Sequence, residues 1–145
     1  MTRTARSIGA ALGGPALISA TILIALRQFV FSGMVSTQHP DLLSQWLPVH
    51  CFLGRSLAAG NIPEWNPFVM GGAPFAADPQ SGWMNLPAMA LYSNLPCGSA
   101  LVWYIAVLPI IGGLGLYAWL RTEGLSRVAA TTGGLALGLG VATSR

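Results

Sequence analysis

The sequence contains no lysine and little charge of either sign. Seven arginines and four acidic residues are spread over 145 positions, so charged residues make up 8% of the chain. Soluble domains average about 25% charged residues, and this chain has too few to cover a soluble surface. Because 53% of its residues are hydrophobic, composition favours an integral membrane protein. The arginines are scattered, which argues against nucleic-acid binding, since that needs a concentrated basic patch.

Cysteine and histidine are also scarce. Cys51 and Cys97 fall in the same predicted loop, so they can form a disulfide if that loop lies outside the cytoplasm. We favour the simpler interpretation that they are two small buried apolar residues. Neither they nor His39 and His50 show metal-ligand spacing, and we interpret the histidines as hydrogen-bonded interface residues.

Three long stretches lack charge altogether: residues 8–26, 100–120 and 128–142. The first would cover roughly 28 Å as a helix, close to the bilayer core thickness, so residues 8–31 are predicted as the first membrane span, with Arg27 near its outer end. Residues 100–120 are predicted as the second span, and 128–142 as an incomplete third. The expected fold class is therefore all-α integral membrane, with 1–145 forming a single membrane region of about three transmembrane helices.

The arginines indicate the orientation of these spans. Arg3 and Arg6 precede the first span, and Arg121 and Arg127 follow the second. By the positive-inside rule both ends are cytoplasmic, which makes the loop 32–99 extracytoplasmic. A cleaved signal peptide also fits a basic start, but this apolar core exceeds the usual length of about 7–15 residues.

Within the loop, residues 42–59 are predicted to form an amphipathic helix at the bilayer surface. Large side chains recur there at three- and four-residue steps, which is typical of one helix face. Asp41 stands where an N-cap belongs, Gly60 stands where the C-terminal glycine belongs, and Pro48 is expected to kink the middle. The recurring residues are Leu43, Trp46, Leu47, His50, Leu53 and Leu57.

The segment 61–85 has no helical or strand period. It is broken by prolines and glycines but rich in large apolar side chains, so we expect ordered coil packed against helices, followed by a short helix at 87–94. Asp78 is interpreted as the start of an Asp-Pro turn, and Glu64 as solvated or paired with Arg55. Two carboxylates on one ordered loop can also share acid–base or metal chemistry, which leaves a divalent cation open as a cofactor.

Three motifs follow one another in this loop. They are Asp41-x3-Gln45-x2-Pro48, then Gly60-Asn-Ile-Pro63-x-Trp65-Asn66-Pro67, then Gly71-Gly-Ala-Pro74-Phe-x-x-Asp78-Pro79-Gln80-Ser81-Gly82. In this order they resemble the YfhO family of bacterial membrane proteins, which look like GT-C-type glycosyltransferases. The resemblance covers residues 41–87, and the flanking spans agree by hydropathy only.

The resemblance implies a multi-pass enzyme of the bacterial inner membrane that transfers sugar from a polyprenyl-phosphate carrier to a cell-envelope acceptor. In such enzymes an acidic residue in the first outer loop acts as general base or helps to position the acceptor or a metal ion, and Asp41 matches it. GT-C members often have two acidic residues there, whereas His39-Pro40 precedes Asp41, and this departure argues against metal use. The matching substrate-binding candidates are Asp78, Gln80, Gln45, Trp65 and Asn66.

The length of the chain also bears on function. Family members have many more spans, so we expect an N-terminal fragment of a larger protein, inactive on its own. The alternative is a small non-enzymatic membrane protein, or a transporter fragment, that packs against a partner membrane protein. Gly134 and Gly138 have the GxxxG spacing that favours such helix packing. The sequence does not determine the sugar, the acceptor or the oligomeric state.

Overall fold

The computed structural model describes residues 2–32 and 41–143, and 72% of the chain is helical, as predicted. The polar link 33–40, which contains His39, lies outside the described residues. A π-helical turn, Leu42–Trp46, precedes α3, and a two-stranded hairpin follows it. The elements are α1 (Thr2–Ala25), α2 (Arg27–Ser32), α3 (Leu47–Ala58), β1 (Trp65–Asn66), β2 (Ala73–Pro74), α4 (Leu86–Asn94), α5 (Cys97–Thr122) and α6 (Arg127–Thr143).

The chain divides into two compact units. The first, the helical unit, comprises Met1–Met34 and Ile105–Arg145, and the second, the loop unit, comprises Val35–Tyr104. Helix α5 belongs to both, since its first two turns lie in the loop unit and the rest lies in the helical unit. The loop unit corresponds to the predicted loop 32–99 with the beginning of α5 added.

The helical unit is held together by isoleucines of α1 and glycines of the other helices. Ile18 and Ile22 are fully buried in its core. Gly134 of α6 lies directly against Gly113 of α5, where an added Cβ would stand 2.6 Å from the Gly113 carbonyl oxygen. Gly138 approaches α1 in the same way, at the Ile22 side chain. The glycine spacing noted in the sequence therefore serves close helix packing within the chain.

Helix α5 is the one helix among the described residues that is long and apolar enough to cross a membrane. Its 26 residues would span about 39 Å at the usual helical rise. The apolar stretches Gly13–Ala25 and Arg127–Ala142 are shorter. All three predicted spans are therefore helical, with a one-residue interruption at Leu26 between α1 and α2.

In the loop unit, α3 and α4 meet backbone to backbone. Gly54 is buried, and a Cβ added there would overlap the carbonyl oxygen of Tyr92. Next to this contact, Cys51 of α3 and Cys97 at the start of α5 form a disulfide with Cα atoms 5.5 Å apart. The interpretation of the cysteines as two free apolar residues is wrong, because the short α4 returns the chain to α3.

The start of α3 differs from the expected capped helix. Asp41 has helical backbone angles, φ −62° and ψ −29°, and its side chain makes no capping hydrogen bond within the described residues. The N-cap prediction is therefore wrong, since a capping residue needs extended backbone angles. The π-helical turn ends shortly before Pro48. Pro48 has no backbone N–H, so it cannot donate the hydrogen bond to the preceding turn that a regular α-helix requires. At the other end Gly60, at φ +75°, terminates the helix as predicted.

The segment after α3 is ordered and packed, as predicted, although it contains a hairpin that the sequence did not indicate. Trp65 pairs with Pro74 and Asn66 with Ala73. The buried ring of Phe75 then packs edge-on against Phe52 of α3, with centroids 5.0 Å apart. Helix α4 follows close to its predicted position and begins at a residue that caps it well, because the Asn85 side chain accepts a hydrogen bond from the Ala88 N–H at 3.1 Å.

Candidate functional site

The first and third sequence motifs meet at an exposed polar cluster formed by Gln45, Asp78 and Gln80. The Gln45 amide donates to the Gln80 side-chain oxygen across 3.5 Å, at the outer limit of hydrogen bonding. The Gln80 N–H donates to a carboxylate oxygen of Asp78 at 2.8 Å. The fold therefore brings together three of the residues predicted to bind substrate, although Gln45 and Gln80 are 35 positions apart in sequence.

Asp78 starts the turn that its sequence position predicts. Its Oδ1 accepts the Gln80 N–H, and its backbone carbonyl accepts the Ser81 N–H at 3.1 Å. This bonding fixes the position of the carboxylate but occupies only one of its two oxygens. Because Asp78 is exposed, its Oδ2 can accept a hydrogen bond from a bound ligand.

Asp41 lies one helical turn before Gln45 on the same helical segment, and it is exposed. It shares no hydrogen bond with Asp78 in the described residues, so the two carboxylates do not form a pair. Nor do any three His, Cys, Asp or Glu residues of the described chain converge to hold a metal ion. The arrangement therefore leaves the Asp41 carboxylate accessible to solvent one helical turn from the Gln45 amide, and the described residues give no support for a divalent cation.

Trp65 and Asn66 are separated by the pleat of β1. The Trp65 indole is 55% exposed and lies over Gly72, so close that a Cβ at residue 72 would stand 2.7 Å from the ring. Its outer face is open for contact with a ligand. Asn66 points the other way and is buried, with its Oδ1 accepting the Phe68 N–H at 3.0 Å. Asn66 therefore holds the hairpin turn and contributes no exposed group to the site.

The loop unit also contains an aromatic cluster of His50, Tyr92 and Tyr104, which the sequence did not identify as a group. The His50 ring centroid lies 5.1 Å from that of Tyr92 and 5.6 Å from that of Tyr104. Asn85 donates to the Tyr104 hydroxyl at 3.0 Å, so this cap residue also joins α4 to α5. The helical spacing predicted that His50 lies on the apolar face of α3. It did not predict the contacts with Tyr92 and Tyr104, because both tyrosines are far from His50 in the sequence.

Burial decides the charge state of this cluster. Desolvation lowers the pKa of His50, and its hydrogen bond to the Trp46 carbonyl offsets this only in part. The donor in that 2.9 Å bond is Nδ1, because a carbonyl only accepts, and Nε2 then lies beside Gly82. Burial likewise raises the pKa of the Tyr92 hydroxyl. At neutral pH both groups are uncharged, so the cluster positions the helices and carries no charge to a substrate.

The exposed groups of the loop unit determine what it can do chemically, although among the candidate site residues that the structure describes only Gln45, Asp78 and Gln80 are linked by hydrogen bonds. A free carboxylate accepts a proton from a hydroxyl, and side-chain amides both donate to and accept from polyols. An exposed indole offers an apolar face against which a sugar ring packs. Comparison of the chain with protein-family models, with curated proteins and with solved structures gives no match.

Proposed function

We propose that this chain is the amino-terminal part of a membrane glycosyltransferase that takes sugar from a polyprenyl-phosphate carrier. The observation that carries the proposal is the convergence of Gln45, Asp78 and Gln80 next to an exposed Asp41. These residues come from two separate motifs that share a resemblance to GT-C-type enzymes. Their meeting on one surface is what a binding site for a polar headgroup requires.

In the proposed reaction, an acceptor hydroxyl attacks the anomeric carbon of the sugar while Asp41 takes its proton. The new bond joins the acceptor oxygen to that carbon, and the bond to the phosphate oxygen breaks with inversion. The polyprenyl phosphate leaves with the bonding electron pair. The amides of Gln45 and Gln80 hydrogen-bond the sugar hydroxyls, and Trp65 packs against the sugar ring.

We place the loop unit on the outer face of the bacterial cell membrane, with α1, α5 and α6 as membrane helices and the N-terminus in the cytoplasm. The disulfide between Cys51 and Cys97 supports the outer location, because such bonds persist in oxidising compartments. The length and hydropathy of α5 support membrane insertion. The disulfide fixes the start of α5 to α3 within the loop unit.

The Asp41→Asn substitution tests the catalytic part of the proposal. Membranes that contain the full-length enzyme, of which this chain would be the amino-terminal part, are assayed for transfer of labelled sugar from a polyprenyl-phosphate carrier, at matched expression. We expect transfer to fall by roughly 100-fold, the lower end of what a general base contributes. Glu64→Gln is the matched control, because Glu64 is an exposed carboxylate of the same unit and should leave transfer unchanged. Near-normal transfer by the Asp41→Asn protein would remove Asp41 from catalysis.

The non-enzymatic alternative receives less support from the packing. Gly134 and Gly138 would have to face a partner helix, but both already pack within the helical unit, against Gly113, Ile18 and Ile22. Small residues that are used internally are not free to dock another protein.

A further inference from the structure

Arg55 is the single basic side chain of the loop unit apart from histidine. Residues 35–104 contain this one arginine and three carboxylates. Of the two interpretations given for Glu64, pairing with Arg55 is wrong, and Glu64 is exposed. Within the described residues the Arg55 guanidinium forms neither an ion pair nor a hydrogen bond. An arginine carries five N–H donors in a planar fork, so Arg55 has its full donor set available for a ligand.

Arg55 lines an open cleft of ≈ 480 Å³ between the last turn of α3 and the hairpin. This volume lies within the usual range for small-molecule sites. Its lining residues include Phe52 and Phe68, whose ring centroids lie 6.2 Å apart in an edge-to-face arrangement. They also include three residues with polar side chains: Arg55, Ser56 and Asn61.

We propose that this cleft binds a phosphate group carried on an apolar chain. The Arg55 guanidinium would hold two phosphate oxygens, and the Ser56 hydroxyl and Asn61 amide would donate to the others. The first apolar groups of the ligand would pack against Phe52 and Phe68. The site rests on the proposed function for the class of lipid, since a polyprenyl phosphate has both parts. Binding itself requires no sugar transfer.

A simpler role for Arg55 is electrostatic. It lies in the last turn of α3, where any cation offsets the partial negative charge of the helix end. Lysine fills that role as well as arginine does, whereas a lysine ammonium cannot hold two phosphate oxygens in a planar fork. The two roles therefore respond differently to Arg55→Lys.

The test measures binding of farnesyl phosphate, farnesol and inorganic phosphate to the full chain in phosphatidylcholine nanodiscs by titration calorimetry. We expect farnesyl phosphate to bind more tightly than farnesol. Arg55→Gln should weaken farnesyl phosphate binding by about tenfold or more, because it removes a charged hydrogen-bonding group. Arg55→Lys should give a clear but smaller loss. Arg127→Gln removes an exposed arginine outside the cleft and should leave binding unchanged.

The outcomes separate the possible sources of the phosphate. Equal affinity for inorganic phosphate and farnesyl phosphate, both reduced by Arg55→Gln, would support the phosphate site and assign it to a free phosphate. Unchanged affinity for farnesyl phosphate in both Arg55 variants would overturn the site. The binding measurement is independent of sugar transfer. Farnesyl phosphate binding that depends on Arg55, together with no sugar transfer by the full-length enzyme, would contradict the proposed function and leave the phosphate site standing.

Discussion

Replacing both Cys51 and Cys97 by serine is expected to lower the free energy of unfolding of the loop unit by about 4 kcal/mol. The disulfide closes a loop of sequence separation 46, and losing it releases that loop in the unfolded chain. The unfolded state gains entropy, while the helix contacts of the folded state are left in place. Chemical unfolding of the purified protein in detergent, followed by tryptophan fluorescence, measures the loss.

Chemical reduction provides the control for that substitution. A reducing agent should destabilise the wild-type protein by the same amount and should have no effect on the double serine variant. The double variant is preferred to either single one, because a single change leaves a reactive thiol. If neither reduction nor substitution shifts the unfolding midpoint, the covalent link between α3 and α5 does not hold the loop unit together.

The second large effect is expected at the crossing of α3 and α4. Gly54→Ala should destabilise the loop unit by about 3 kcal/mol, the upper end of the usual cost of overpacking. The added methyl group would meet the backbone carbonyl of Tyr92, which cannot move aside without shifting α4. The same unfolding measurement reports this change. It should also weaken the ring contacts of His50 with Tyr92, which near-ultraviolet circular dichroism detects.

Gly98→Ala is the matched control for Gly54→Ala. Gly98 also lies in a helix of the loop unit, but a Cβ there would meet nothing within 4 Å. Alanine is the better helix former, so Gly98→Ala should be neutral or stabilise by up to about 1 kcal/mol. Equal stability of the two alanine variants would contradict the close helix crossing.

The sequence predicted the helices well because their signals are local. A long uncharged apolar run favours a helix, because strands are usually shorter. Such runs predicted the positions of α1, α5 and α6. The Gly60 terminus and the Asp78 turn were also found, since each depends on conformational preferences within a few residues.

Features that depend on contacts between distant residues were missed or mistaken. The disulfide forms because α4 is short enough to bring Cys97 back to α3, and residue spacing does not encode that return. The aromatic cluster brings His50 into contact with Tyr104, which lies 54 positions later in the sequence. The helical spacing around His50 gives no information about a contact with so distant a residue. Asp41 fits the N-cap pattern, but the π-helical turn ahead of Pro48 keeps its backbone helical. The sequence placed Gln45 and Gln80 in two separate motifs of one family resemblance, but it did not predict the hydrogen bond between them.

We propose above all that the loop unit lies on the outer side of the membrane and that the turn between α5 and α6 lies in the cytoplasm. Two single-cysteine additions test it directly: Glu64→Cys in the loop unit and Glu123→Cys in that turn, both at exposed positions. Intact cells are treated with a membrane-impermeant maleimide before and after permeabilisation. We predict that residue 64 is labelled in intact cells and residue 123 only after permeabilisation. Labelling of residue 123 but not of residue 64 in intact cells would contradict the topology and the proposed enzyme with it.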